Sequence, residues 1–136
     1  MSETANPTDP QTVTTGSCLC GAVQYRAKGP LGAPAACHCT QCRKQSGHVW
    51  ASSYVDHDKL EIEGEVRWYQ SSDKAQRGFC PVCGAALFWR HADDPFTCFS
   101  MGSIDGLTGL TLRGHIHTAT KGDYYEIAAH EPQRET

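Results

Sequence analysis

No stretch of this 136-residue chain approaches the roughly 20 consecutive apolar residues that span a bilayer, so no membrane helix is expected. Concentrated basic runs are also missing. With a formal net charge of −3, the chain offers a nucleic-acid backbone no electrostatic footprint. It has no low-complexity segment and no internal repeat longer than a Cys-x-Cys pair. A long, well-capped helical period is absent too, which leaves helix bundles out of the reckoning. The first fifteen residues, MSETANPTDPQTVTT, lack an apolar run and are expected to form a loose polar tail, not a signal peptide or an anchor. Without a secretory signal, the expected compartment is the reducing cytoplasm. The length suits one domain, drawn as residues 16–130, with 131–136 as a C-terminal tail.

What the chain does have is cysteine, eight in all. Three fall in Cys37-His38-Cys39-Thr40-Gln41-Cys42, flanked by Cys18-Leu19-Cys20 and Cys80-Pro81-Val82-Cys83. Cys98 stands alone in an apolar run and is expected to pack as a small core residue. Clustered thiols in a reducing compartment read as metal ligands before disulfides, and zinc is the metal that suits them. The CPVCG turn makes a knuckle supplying two of the four ligands a closed site needs. Its partner is either Cys18 with Cys20, both read as lying on one strand face, or two of the central three. A redox dithiol would need a βαβ setting, which the surrounding pattern lacks.

Cys37, Cys39 and Cys42 are too close together to leave room for a fourth ligand of their own. Three protein ligands and one exchangeable position describe a site that can bind a substrate. The bland alternatives are an oxidisable cluster, or a structural site closed by His38 or a remote histidine. His38 would point away from its neighbours' metal if the stretch is extended.

The rest alternates with a period of two. Val23 and Tyr25 alternate with Gln24 and Arg26, and Val49 to Val55 with His48 to Tyr54. Shorter runs follow at Leu60–Ile62, Val66–Trp68, Ala85–Trp89, Phe96–Met101 and Gly114–His117, separated by turn residues. The fold class is therefore mainly β.

GSCLCGAV, ACHCTQCRKQSG, GFCPVCGAALFW and MGSID resemble, in order and spacing, the glutathione-dependent formaldehyde-activating enzyme family, which includes centromere protein V. The resemblance covers about residues 16–118. It implies two packed antiparallel sheets stapled by zinc, like the β-fold of the methionine-R-sulfoxide reductases. It also implies a structural zinc on Cys18, Cys20, Cys80 and Cys83, and a second zinc, open to partial occupancy, on Cys37, Cys39 and Cys42. The implied activity is that of a carbon–sulfur lyase acting on a thiol–aldehyde adduct, with a small thiol such as glutathione and an aldehyde as partners. The C-terminal stretch departs from the pattern. His115-Ile116-His117 and Lys121-Gly122-Asp123-Tyr124-Tyr125 stand where members carry an aromatic after His-Ile and a Lys-x-Pro-Trp-like run.

Other candidates carry weaker signals. His48 is a proton donor by its nearness in sequence to the trio, against the plainer reading of an exposed strand histidine. His115 and His117 would share one strand face. Arg43 and Lys44 could draw in an anionic thiol, or form a solvated turn. Trp50, Trp68 and Trp89 are expected in the core. Two other function classes compete: a zinc-stapled binding module without chemistry, and a thiol redox protein.

Overall fold

The computed structural model describes residues 8–136. In chain order its elements are β1 (Val13–Ser17), β2 (Gln24–Lys28), β3 (Ala35–Cys37), α1 (Thr40–Ser46), β4 (Trp50–Asp56) and β5 (Leu60–Glu63). There follow β6 (Arg67–Gln70), β7 (Ala75–Phe79), β8 (Ala86–His91), β9 (Phe96–Ser100) and β10 (Gly114–Ile116). They form a small sheet in the order β1-β2-β5 and a large one in the order β10-β3-β4-β9-β8-β7-β6. The pairings are antiparallel except for β10 beside β3. The mainly β, two-sheet expectation holds.

Period-two alternation explains how the sheets meet. Tyr25 and Ala27 of β2 face inward and are buried, while Gln24 and Arg26 face out. The Tyr25 ring lies 5.5 Å from Phe88 and 5.2 Å from Phe99, both buried on the large sheet. Burying three such rings together is a large apolar gain. Tyr25 keeps its hydroxyl satisfied by Ser103, at 2.6 Å.

Several expectations need correction. The tail drawn over residues 1–15 contains the start of β1, which pairs with β2 from Val13↔Lys28 to Ser17↔Gln24. Only Thr14 and Gly16 of this polar edge strand turn inward, so hydropathy gave no signal. The first seven residues of that stretch lie outside the described ones. At the other end, the stretch drawn as a tail is tied to β10. The His115 N–H donates to the Pro132 carbonyl at 2.8 Å, and the Arg134 N–H donates back to the His115 carbonyl at 2.9 Å.

Cys18 and Cys20 occupy the turn between β1 and β2, not a strand face. The turn needs Gly21 at φ +83°, where a side chain would be strained. The Arg43–Gly47 stretch read as a turn is most of α1, a helix of seven residues, too short to show a period. Cys39 caps it, its sulfur accepting from the Cys42 N–H, and Gly47 ends it in the left-handed conformation. β7 shows no alternating apolar pattern, because Gly78 takes its place opposite core Phe88 and Arg77, on the opposite face beneath α1, is charged yet only 5% exposed.

Candidate metal centres and the adjoining cavity

The first cluster joins two hairpin turns from different sheets. Cys18 and Cys20 lie between β1 and β2, and Cys80 and Cys83 between β7 and β8. The Cys18 and Cys20 sulfurs are 3.7 Å apart, and those of Cys20 and Cys80, 60 residues apart in sequence, are 3.8 Å apart. Sulfurs at about 2.3 Å from one tetrahedral zinc would be separated by ~3.8 Å, so the donor set fits that ion. Backbone N–H groups point at the same sulfurs, from Val23 to Cys18 at 3.3 Å and from Val82 and Cys83 to Cys80 at 3.4 Å. Burial opposes ionisation of Cys18, but the Val23 N–H and the neighbouring thiols outweigh it and its pKa falls. Cys83 is held down to about 6, first by the Ala85 backbone.

The second cluster comes from one stretch. Cys37 ends β3, Cys39 caps α1 and Cys42 lies on its buried face, with all three sulfurs within 4.8 Å of one another. Among the described residues, no histidine or carboxylate joins this group. His38 points elsewhere, as an extended stretch requires. Its Nδ1 meets the Tyr125 hydroxyl, and its Nε2 lies 2.9 Å from His115 Nδ1. Burial, aided by His115, holds His38 toward the neutral form.

Charge within the trio is uneven. Cys42 is held down to about 6, first by its hydrogen bond with Cys37 and then by the Arg77 guanidinium, while Cys37 is pushed up. Arg77 places Nη1 and Nη2 at 3.6 and 3.5 Å from the Cys42 sulfur. The same group donates to Gln45 Oε1 at 3.0 Å and Gln41 Oε1 at 3.4 Å, so it also grips α1. No described carboxylate pairs with this buried cation. A buried cation needs a counter-charge, and the trio is the one at hand. Thiolate sulfur beside a guanidinium is ready to take a soft cation such as zinc.

The trio opens on a cavity of about 480 Å³ over the outward face of the large sheet. Strand register builds its floor. Tyr54 of β4 pairs with Cys98 of β9, Cys98 with Trp89 of β8, and Trp89 with Arg77 of β7. These four side chains form one row across the sheet and all line the cavity. Trp50, opposite Cys37, continues the wall beside the trio.

Residues 13–120 match the family of glutathione-dependent formaldehyde-activating enzymes. The chain belongs to this family. A Halomonas elongata protein carrying the family's name is 31% identical over 135 residues, covering 88% of this chain and 83% of the relative. An uncharacterized lyase of Schizosaccharomyces pombe is 27% identical over 120 residues, covering 83% of this chain and 84% of the relative. A Rhodobacter sphaeroides crystal structure, 22% identical, superimposes with a TM-score of 0.58 over 69% of this chain and 90% of that one, a likeness of fold.

Within this family member, the seven clustered cysteines come together in the two groups the motifs suggested, and the histidines do not follow their sequence neighbours. His48 is exposed, meets the Tyr124 hydroxyl at 2.6 Å, and does not line the cavity. His115 and His117 part company. His115 turns back to His38, while His117 adopts φ 54° and lines the cavity. Positive φ in a non-glycine residue is uncommon and often marks a functional position. Cys98 is half-buried on the cavity floor, not in the core, and burial pushes its thiol up to about 12. Trp50 and Trp89 also line the cavity, and Trp68 alone of the three stacks on core Phe88. Arg77 carried no sequence signal. Its type is ordinary, and only the fold shows that it is buried against a thiol.

Proposed function

We propose that this chain is a zinc-dependent carbon–sulfur lyase that interconverts an S-hydroxymethyl-type thiol adduct with a thiol and an aldehyde. The carrying observation is the three-thiol group with no fourth described ligand, opening on a cavity. Zinc held by Cys37, Cys39 and Cys42 would supply a Lewis-acid position suited to sulfur as thiolate. Zinc held by Cys18, Cys20, Cys80 and Cys83 would be structural. Glutathione and formaldehyde enter as candidate substrates through the family's name and that of the Halomonas elongata relative. Thiolate-rich sites suit a reducing cytoplasm.

The chain's own residues divide the work. Arg77 balances the charge on Cys42 and holds α1 against β7. The aromatic floor keeps water from the adduct and strengthens nearby electrostatics. His117, on the rim, takes the proton from the adduct's hydroxyl. Oxygen then forms the carbonyl, the carbon–sulfur bond breaks, and its electron pair stays on sulfur. A proton returned to sulfur completes the thiol, so atoms and charge balance without a redox partner.

The test is exchange NMR on ¹³C-formaldehyde mixed with glutathione and with other small thiols. Wild type is expected to speed exchange between free aldehyde and adduct, and Cys39→Ser to return it to the protein-free rate. Exchange at the protein-free rate with every thiol overturns the reading in favour of a zinc-stapled binding module.

A further inference from the structure

The cavity beside the trio has a one-sided chemistry. Trp50, Tyr54, Trp89 and Phe96 give it aromatic walls, and the rings of Tyr54 and Phe96 lie 4.8 Å apart. None of the described residues lining it is Asp or Glu. The charged residues that line it are cationic, Arg77 and Arg113. Arg77 is engaged by Cys42 and the glutamines of α1. Arg113 is exposed at the rim and forms no ion pair among the described residues. The row from Arg77 to Tyr54 crosses four strands, or about 14 Å at the usual strand spacing. That length admits a sulfur at the trio end, a ring over Trp89 and Cys98, and an anionic group reaching the rim.

We infer that the thiol partner is an aromatic or bulky apolar mercaptocarboxylate without an ammonium group, its ring over Trp89 and its carboxylate at Arg113. This rests on the lyase reading for the sulfur end alone. An ammonium-bearing thiol finds no carboxylate here to replace its lost hydration, whereas an apolar body gains from leaving water. Aromatic walls favour a ring in offset or edge contact over an extended peptide. The one available guanidinium accounts for one carboxylate.

The experiment measures binding and turnover separately on the full zinc-loaded chain. Calorimetry uses the non-cleavable S-methyl thioethers of 3-phenyl-2-sulfanylpropanoate, 2-phenylethanethiol, glutathione and cysteamine. Exchange NMR uses the four parent thiols with formaldehyde. The phenyl carboxylate is expected to bind roughly ten-fold or more tighter than glutathione, from the ring's burial. Arg113→Gln should shrink its advantage over 2-phenylethanethiol by roughly two- to five-fold, the range for an exposed ion pair. Trp89→Ala should weaken both phenyl probes. Tighter binding of glutathione than of the phenyl carboxylate overturns the inference, as does an Arg113→Gln protein that keeps the full advantage. The predicted binding order without turnover of any adduct sinks the lyase reading and keeps the ligand class.

Discussion

The sulfurs of Cys18, Cys20, Cys80 and Cys83 sit between hairpin turns of two sheets, while those of Cys37, Cys39 and Cys42 come from one six-residue stretch beside a cavity. The side chain is the same, and its setting differs. In the first cluster, Cys18 and Cys80 belong to the hydrophobic core that also holds Tyr25, Phe88 and Phe99. Backbone N–H groups converge on the sulfurs, and the spacing of the four thiols suits one tetrahedral zinc. In the second, a helix cap and a strand end bring three sulfurs together, and a guanidinium stands behind one of them. Closure thus follows from where the turns sit in the fold. A site shared by two sheets is part of folding, and one built from a single local stretch can be emptied without parting them.

The largest expected effect is at the closed site. Cys80→Ser removes a fully buried sulfur that two N–H groups address, and leaves three ligands at the junction of the sheets. Zinc binding is folding energy in such a site. A loss on the order of 4 kcal/mol is expected, the large end for a single substitution, with the melting temperature down by roughly 10 °C or more. A melting curve and zinc content equal to wild type would show that the sheets are held by packing alone.

Next comes Cys39→Ser, which should sharpen the contrast. It removes one of three ligands from the open cluster, and a hydroxyl still caps α1 well. The expected protein holds one zinc in place of two, melts within a few degrees of wild type, and has lost the exchange activity. A melting temperature as low as that of Cys80→Ser would erase the distinction between the sites. In wild type, a mild chelator should likewise remove the second zinc first.

How far the sequence carried this contrast depends on the kind of contact. Cysteine spacing is local and chemically loud, so the trio and the CPVCG knuckle were legible, as were the alternating strands β2, β4 and β9. The joining of that knuckle to Cys18 and Cys20 across 60 residues rested on the family resemblance. Elements made by polar residues were not. β1 buries a threonine and a glycine, β7 buries an arginine, and α1 spans barely two turns. The cavity was illegible for a different reason. Its floor is a row across four strands, Arg77 to Tyr54, and a row of that kind depends on register, which no single strand's pattern contains. Cys98 and Trp89 therefore read as core when they face the other way.

Arg77 tests whether the open site depends on charge behind its ligands. Partners one shell beyond a metal typically alter its affinity 10- to 100-fold. Arg77→Met keeps bulk and removes the cation, so the second zinc should leave faster in a chelator by roughly that factor, with the first unaffected. In the cobalt form, the thiolate-to-metal band should shift. Arg77→Lys should recover part of the retention by restoring charge, though not the two-pronged contact with Cys42. Equal release from the Met and Lys proteins would mean that packing against α1, and not charge, is what the guanidinium contributes.

The smallest effect is expected at Cys98, which neighbours the trio's cavity yet belongs to neither cluster. Its thiol is pushed up to about 12, mainly by burial, and so stays protonated at neutral pH. A protonated thiol is a poor metal ligand and a poor nucleophile. Its strand neighbours Thr97 and Phe99 carry the packing into the core, and Cys98 contributes a small apolar surface to the floor. Cys98→Ala should therefore leave both zincs in place and cost about 1 kcal/mol or less. Alkylation of native protein at pH 8, read by mass spectrometry, should leave Cys98 unmodified while the open trio reacts once its zinc is stripped. Loss of one zinc from Cys98→Ala would instead make Cys98 the fourth ligand that the trio lacks, and turn the open site into a second closed one.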